Sequence, residues 1–330
     1  MDLEPKLRRV LVTGATGFVG RALVPALVAQ GYEVRAMTRS LARSEPKAGV
    51  EWVACDVHVP ADLERALAGV DAVFFLVHSM GGGAHDYAQT ERRSAEQLSA
   101  AAARAGVRRL VYLGGVAPSQ TPPSEHLRSR LEVGEVLRAG AVPTVELRAS
   151  MIIGNGSASW QIVRDLAMRL PAMLLPSWTA SRTRPIALED AVVALVRALD
   201  VPLPRSACYD IPGPDTVSAR EILTTLAALR GRRVPGIPVP FLSVSLSSWW
   251  LFLVTRTDFS LARELVLGFT GDLLPRDERY WSEIGYSPRW SFEAAARKAL
   301  AEEAPASGLG GRAGKLEEDV VQLVSPKLPR

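Results

Sequence analysis

The chain has only two cysteines in 330 residues, Cys55 and Cys208, and they form no C-x-x-C pair. That excludes a disulfide framework and a thiolate zinc site, and a reducing, cytoplasmic setting is expected. Histidine is almost as scarce: His58, His78, His85 and His126 fall on separate predicted elements without ligand spacing, so no metal is expected. Long apolar runs are also missing. The longest uncharged stretch, Val234 to Thr255, carries Pro235, Gly236, Pro238 and Pro240 in its first third and is then broken by serines, so no transmembrane segment is predicted. Its later part, residues 241–255 (FLSVSLSSWWLFLVT), reads as a buried helix or lid, with contact to a membrane surface or a partner through Trp249, Trp250 and Phe252 as the alternative. Residues Met1 to Arg9 place acidic residues early and no apolar stretch, so no secretory signal is expected. Charge of one sign is lacking too. Lys plus Arg (39) against Asp plus Glu (35) leaves +4, too small an excess over this length to imply a nucleic-acid partner.

What remains is ordinary globular material, 48% hydrophobic and 22% charged. The length is about twice a common domain of ~150 residues, so one large domain or a core with a C-terminal addition is expected. Over the first 150 residues, short β-rich runs alternate with helical patterns, the sign of parallel βαβ units and an α/β doubly wound sheet of Rossmann type. Strands are predicted at 9–13, 32–38, 50–54, 72–77, 109–113 and 144–148; helices at 18–30, 61–68, 86–105 and 124–139. The division expected is a nucleotide-binding core over 1–154 and a smaller, mostly helical substrate lobe over 155–304, with 179–211 returning to the core. Helices are predicted at 160–170, 189–199, 218–230, 260–268 and 291–301. Residues 305–330, rich in Gly, Pro, Ala and charge, read as a mobile tail.

The sharpest motif is Thr13-Gly-Ala-Thr-Gly-Phe-Val-Gly20, between the first strand and first helix. A pyrophosphate needs the free N–H groups of a helix N-terminus, and a side chain at closest approach would block it. Gly14, Gly17 and Gly20 meet that need, and Thr16, Phe18 and Val19 complete the expected contacts. The spacing is G-x-x-G-x-x-G, distinct from the commoner G-x-G-x-x-G. Pro25 should kink the helix that follows. The second strand ends Met37-Thr-Arg39-Ser40 with no carboxylate to hold a ribose 2′-hydroxyl, so NADP(H) is favoured over NAD(H). Arg39 with Ser40 is the predicted 2′-phosphate contact, with Arg35 or Arg43 as substitutes. Asp56, beside Val57, is either an acceptor for the adenine amino group or a turn cap. Leu76, Val77 and His78, at the end of the fourth strand, should border the ribose and nicotinamide.

The segments TGATGFVG, Cys55-Asp-Val57, Val111-Tyr-Leu-Gly-Gly115 and Leu147-Arg-Ala-Ser150 resemble the atypical or extended short-chain dehydrogenase/reductases, over about residues 9–300. The runs at 76–80 (LVHSM), 126–140 and 147–160 are most similar to the NAD(P)H-binding branch that contains NmrA-like proteins and bacterial sequences labelled nucleoside-diphosphate-sugar epimerases. The resemblance implies a serine after the fifth strand and a Tyr-x-x-x-Lys on the next helix, where the ammonium steadies a phenolate one turn away and holds the nicotinamide ribose. This chain departs from that pattern. His126 and Arg130 stand at the Tyr and Lys positions, and Gly114 and Gly115 stand where serine is usual, with Ser119 the next hydroxyl. His126 is therefore a candidate acid or base, or else a surface residue at a helix start. Arg130 keeps the ribose and electrostatic roles.

Gly114 and Ser150 are expected on the cofactor, and Gly115, Ile153, Ser157, Trp160 and Arg184 on the substrate side. Arg184 would hold a ligand's phosphate or carboxylate, or pair locally with Glu189 or Asp190. Trp160, Trp178, Met168, Met173, Leu174 and Leu175 form either a cavity wall or core. The expected function is an NADP(H)-dependent oxidoreductase that transfers hydride to an apolar carbonyl, enone or quinone. The alternative is a non-catalytic NADP(H)-binding regulatory or assembly protein that senses the dinucleotide, and the third reading is a sugar-nucleotide epimerase or dehydratase. The resemblance also implies a homodimer through the helices at 86–105 and 124–139.

Overall fold

A computed structural model describes residues 7–44, 46–77, 86–119, 121–169, 173–232, 235–239, 267 and 270–303. The expectations for His78, for residues 241–255, for the tail at 305–330 and for all but Leu267 of the helix at 260–268 lie outside them.

The elements run β1 (Arg9–Val12), α1 (Phe18–Ala29), β2 (Glu33–Thr38), β3 (Val50–Ala54), α2 (Pro60–Leu67), β4 (Ala72–Phe75), α3 (Asp86–Arg104), β5 (Arg109–Gly115), α4 (Glu125–Ala139) and β6 (Thr144–Ala149). Then follow β7 (Ile152–Ile153), α5 (Ala158–Arg169), β8 (Met173–Leu175), β9 (Arg182–Thr183), β10 (Ile186–Ala187), α6 (Leu188–Arg197), β11 (Ala207–Asp210), β12 (Val217–Ser218), α7 (Ala219–Leu229), β13 (Gly236–Pro238), α8 (Arg279–Glu283) and α9 (Phe292–Ala301). Seven strands form one sheet in the order β11-β6-β5-β4-β1-β2-β3, every pair parallel. The fourth strand follows the first across the switch between β1 and β4, the crevice where open α/β sheets take ligands at their carboxyl ends.

The central strands β1, β4 and β5 read as nearly continuous apolar runs because both faces of the sheet are covered there. Leu23 and Leu27 of α1, with Ala191 and Leu195 of α6, pack over Val10, Val12, Val145 and Leu147 on one face. Leu63 of α2, Leu98 of α3, and Val133 and Leu137 of α4 cover Leu11, Val73 and Leu110 on the other. Pro25 lies inside α1, which continues through it to Ala29. A third cluster is built from α5, α7 and α9: Trp160, Val163, Ile222, Leu226, Phe292 and Ala296, closed by Ile153 and Ala187. The segment after α5 therefore comes back to the first layer. β10 pairs with β7, α6 packs beside α1, and β11 adds the outermost strand beside β6. Among the described residues no helix is long and apolar enough to cross a membrane.

Candidate functional site at the glycine loop and the start of α4

The loop after β1 is anchored by Thr13. Its fully buried hydroxyl donates to the Phe74 carbonyl at 3.1 Å and accepts from the Leu76 N–H at 2.9 Å, tying β1 to the end of β4. Gly14 has φ +63°, and a Cβ there would lie 2.7 Å from the Leu76 carbonyl oxygen. Gly20 has an ordinary φ but faces the loop, and its Cβ would stand 2.3 Å from the Gly14 oxygen. The first requirement is conformational and the second is close approach. Gly17 caps α1 with no side-chain bond and no acidic residue in the first turn, and the first amide spent inside the helix is that of Arg21, on the Gly17 carbonyl at 3.0 Å. The N–H groups of Phe18, Val19 and Gly20 are thus the helix's unspent donors, the arrangement a pyrophosphate occupies. Thr16 is half-buried beside them.

At the end of β2, Arg39 and Ser40 are exposed, and the strand end Met37–Ser40 carries no carboxylate of its own. The alternatives to Arg39 divide. Arg35 is spent on structure, bonded to Glu51 at 2.9 Å and to the Ala66 and Ala68 carbonyls, whereas Arg43 is the last residue of a 3-10 turn, Leu41–Arg43. Asp56 acts as a cap through one oxygen, which accepts from the His58 N–H at 2.9 Å. Val57 is buried in the core, leaving its backbone for any ligand. Leu76 presents its carbonyl to Gly14, and Val77 is half-buried next to it.

The start of α4 sits over the end of β5. Ser124 caps the helix, accepting from the Leu127 N–H at 3.3 Å. A Cβ on Gly115 would fall 2.6 Å from Leu127 Cδ1, so the space of the expected serine is taken by an apolar side chain. A Cβ on Gly114 would touch Glu146 and Tyr112, both at 3.1 Å. One turn apart, His126 and Arg130 occupy the same side of α4. Burial, reinforced by the Arg130 cation, pulls the His126 imidazole down to about 4, so it is neutral across the physiological range. Arg130 Nη2 donates to the Leu113 carbonyl at 2.8 Å, while its buried Nε has no partner. An orphaned buried donor costs free energy unless a ligand fills it. Together with the glycine cradle, it fits a dinucleotide whose ribose reaches the end of β5.

The other substrate-side residues are more structural. Ser150 donates to the Arg184 carbonyl at 3.0 Å, and Ile153 is buried. Ser157 accepts from the Trp160 N–H at 3.4 Å. Trp160 is completely buried in the third cluster, its Nε1 without a partner, and Met168 lies in the same core, which places both in packing. Arg184 does not pair with Glu189 or Asp190, because those are taken by Lys298 and by the chain at 286–290; it pairs with Glu278 and donates to the Gly213 carbonyl at 3.0 Å. Sequence reasoning missed Glu146, a fully buried carboxylate on β6 held by Arg138 at 2.6 Å and Arg148 at 2.8 Å. The usable signal was Glu146 and Arg148 two apart on one strand face.

A glycine-lined helix N-terminus at the switch point of a parallel sheet defines a Rossmann-type dinucleotide-binding protein. The chain matches the family described as NAD(P)H-binding over residues 14–168. It is 31% identical to the (4-alkanoyl-5-oxo-2,5-dihydrofuran-3-yl)methyl phosphate reductase of Streptomyces griseus, over 68% of this chain and 74% of that protein. It is 27% identical to the 2-alkyl-3-oxoalkanoate reductase of Stenotrophomonas maltophilia, over 90% of this chain and 99% of that one. Among solved structures, the UDP-glucuronic acid 4-epimerase of Bacillus cereus in complex with NAD shares the fold, with a TM-score of 0.68 over 89% of this chain and 97% of that one at 16% identity. The chain belongs to the atypical short-chain dehydrogenase/reductase superfamily, as an oxidoreductase of the NAD(P)H-binding type.

Proposed function

We propose that the protein is an NADP(H)-dependent reductase acting on the carbonyl or enone of a largely apolar small molecule. The observation that carries this reading is the neutral His126 one turn from Arg130, over the end of β5. The names of two relatives, both reductases, support a ketone or unsaturated carbonyl substrate. When bound, the dihydronicotinamide supplies the hydride. His126 then donates a hydrogen bond from a neutral imidazole to the carbonyl oxygen, as a polarising group. With its pKa near 4, it is not protonated at neutral pH and does not itself deliver the proton, which comes from water. Arg130 adds positive charge beside the developing oxyanion and offers Nε to the ribose.

NADP(H) is preferred over NAD(H) in this reading because the end of β2 offers exposed Arg39 and Ser40 and no carboxylate. The solved neighbour holds NAD, which makes the preference the point to test.

The non-catalytic alternative is favoured by one feature, the Leu127 side chain lying where the expected serine would sit. Following NADPH oxidation with a panel of 3-oxoalkanoates, enones and quinones, beside a binding titration, separates the two. Turnover that falls in His126→Ala while NADPH affinity is kept supports the reductase; tight NADPH binding with no turnover on any compound leaves the sensor. For the cofactor, Arg39→Ala should weaken NADPH binding about tenfold or more and leave NADH binding unchanged.

A further inference from the structure

A second concavity, of about 350 Å3, lies away from the glycine loop at the β11 edge of the sheet. Its floor is Arg148 of β6 with Cys208 and Asp210 of β11, and one wall is the face of α4 carrying Glu135 and Arg138. Arg276, Asp277 and Arg279 complete the polar lining, with Ala117 and Leu131 as its apolar part. That volume suits one small ligand.

The charged groups here are committed only in part. Arg138 and Arg148 each hold the buried Glu146 through Nε, and no described residue takes their terminal nitrogens. Arg276 is exposed and spends its backbone N–H on Asp210 at 2.6 Å, leaving its guanidinium without an ion pair among the described residues. Arg279 donates one N–H to the Cys208 carbonyl, lies over the Tyr209 ring and pairs with one oxygen of Asp277 at 3.8 Å. A guanidinium fork matches phosphate in two-point fashion. Glu135, Asp210 and Asp277 stand among the arginines, and with Glu146 they balance the four positive charges formally. A polyphosphate is disfavoured by that balance. A single phosphate ester whose neighbouring hydroxyls donate to the carboxylates uses both sets. Covalent chemistry is not offered: burial foremost, with Glu146 adding, pushes the Cys208 thiol up to about 12, so no thiolate forms near neutral pH.

We propose that this groove is a binding site for a phosphorylated, hydroxyl-bearing small molecule of the sugar-phosphate class, recognised through Arg138, Arg148 and Arg276 on the phosphate and the lining carboxylates on the hydroxyls. The site stands independently of the role given to His126.

The experiment is calorimetric titration of the full chain with ribose 5-phosphate, inorganic phosphate and ribose as probes, at saturating NADPH so that the glycine loop is already filled. One saturable site for ribose 5-phosphate is expected, tighter than for either half alone. Arg276→Glu should weaken it about tenfold or more while NADPH affinity and the circular dichroism spectrum stay as in the wild type. Absence of saturable binding, equal affinity in Arg276→Glu, or equal affinity for inorganic phosphate and ribose 5-phosphate would each overturn the proposal.

Discussion

His126 illustrates what one substitution does to a familiar helix. A tyrosine at this position needs a neighbouring cation to lower its pKa and so hold it as an anion; in a histidine, burial and the same cation also lower the pKa, but the form they favour is the neutral one. Its folded pKa, about 4, lies below the ordinary value of 6.5, so the unfolded chain binds the proton more readily between those limits. The resulting stabilisation is present in full above pH 6.5 and is lost as the pH falls through 4, a difference of about 3 kcal/mol. Urea denaturation at pH 7 and pH 4.5 should show that loss in the wild type and a smaller one in His126→Gln. At the same scale, the glycine motif was readable because each glycine answers a backbone requirement that spacing alone reveals. Asp56 was not readable beyond its two options, since either role needs the same carboxylate after β3.

Among the elements, α4 carries the most consequence. Its Gly134 lies directly on the Glu146 carboxylate: a Cβ there would come within 2.4 Å of Oε1. Neither party can yield, because Arg138 and Arg148 hold the carboxylate from both sides. Gly134→Ala should therefore destabilise the protein by about 2 kcal/mol or more, although alanine is the better helix former, and chemical denaturation measures it. The order of strands and helices was legible because short β-rich runs, nearly all apolar in β1, β4 and β5, alternate with helical patterns. Glu146 escaped because a polar residue inside a strand reads as solvent-facing; its burial is set by an arginine on the preceding helix and a glycine one turn before that arginine.

For the molecule as a whole, the two layers are joined by Asp190. It is fully buried in the first turn of α6, and it accepts from the Tyr286 hydroxyl at 2.6 Å and from the Arg289 and Trp290 N–H groups. Those donors come about a hundred residues later and lead into α9 of the third cluster. Asp190→Ala leaves them unpaired in the interior, and a loss of about 3 kcal/mol is expected as a fall in Tm. In the sequence, Asp190 could be matched only to near neighbours such as Arg184, because nothing local marks a partner so distant. For the same reason β11 was expected only as part of a returning segment, not as the sheet's edge.

Phe18 has a bearing on how substitutions in the glycine loop are to be interpreted. Its amide belongs to the free first turn of α1, and its ring lies under Gly154, where a Cβ would come within 2.9 Å of it. The first residue of the helix is thus also a hinge pin between the nucleotide side and the chain that opens the other lobe. A variant such as Phe18→Ala alters both at once, so a loss of dinucleotide affinity there reports on lobe alignment as much as on contact with the cofactor, and only paired substitutions at Phe18 and Gly154 can divide the two.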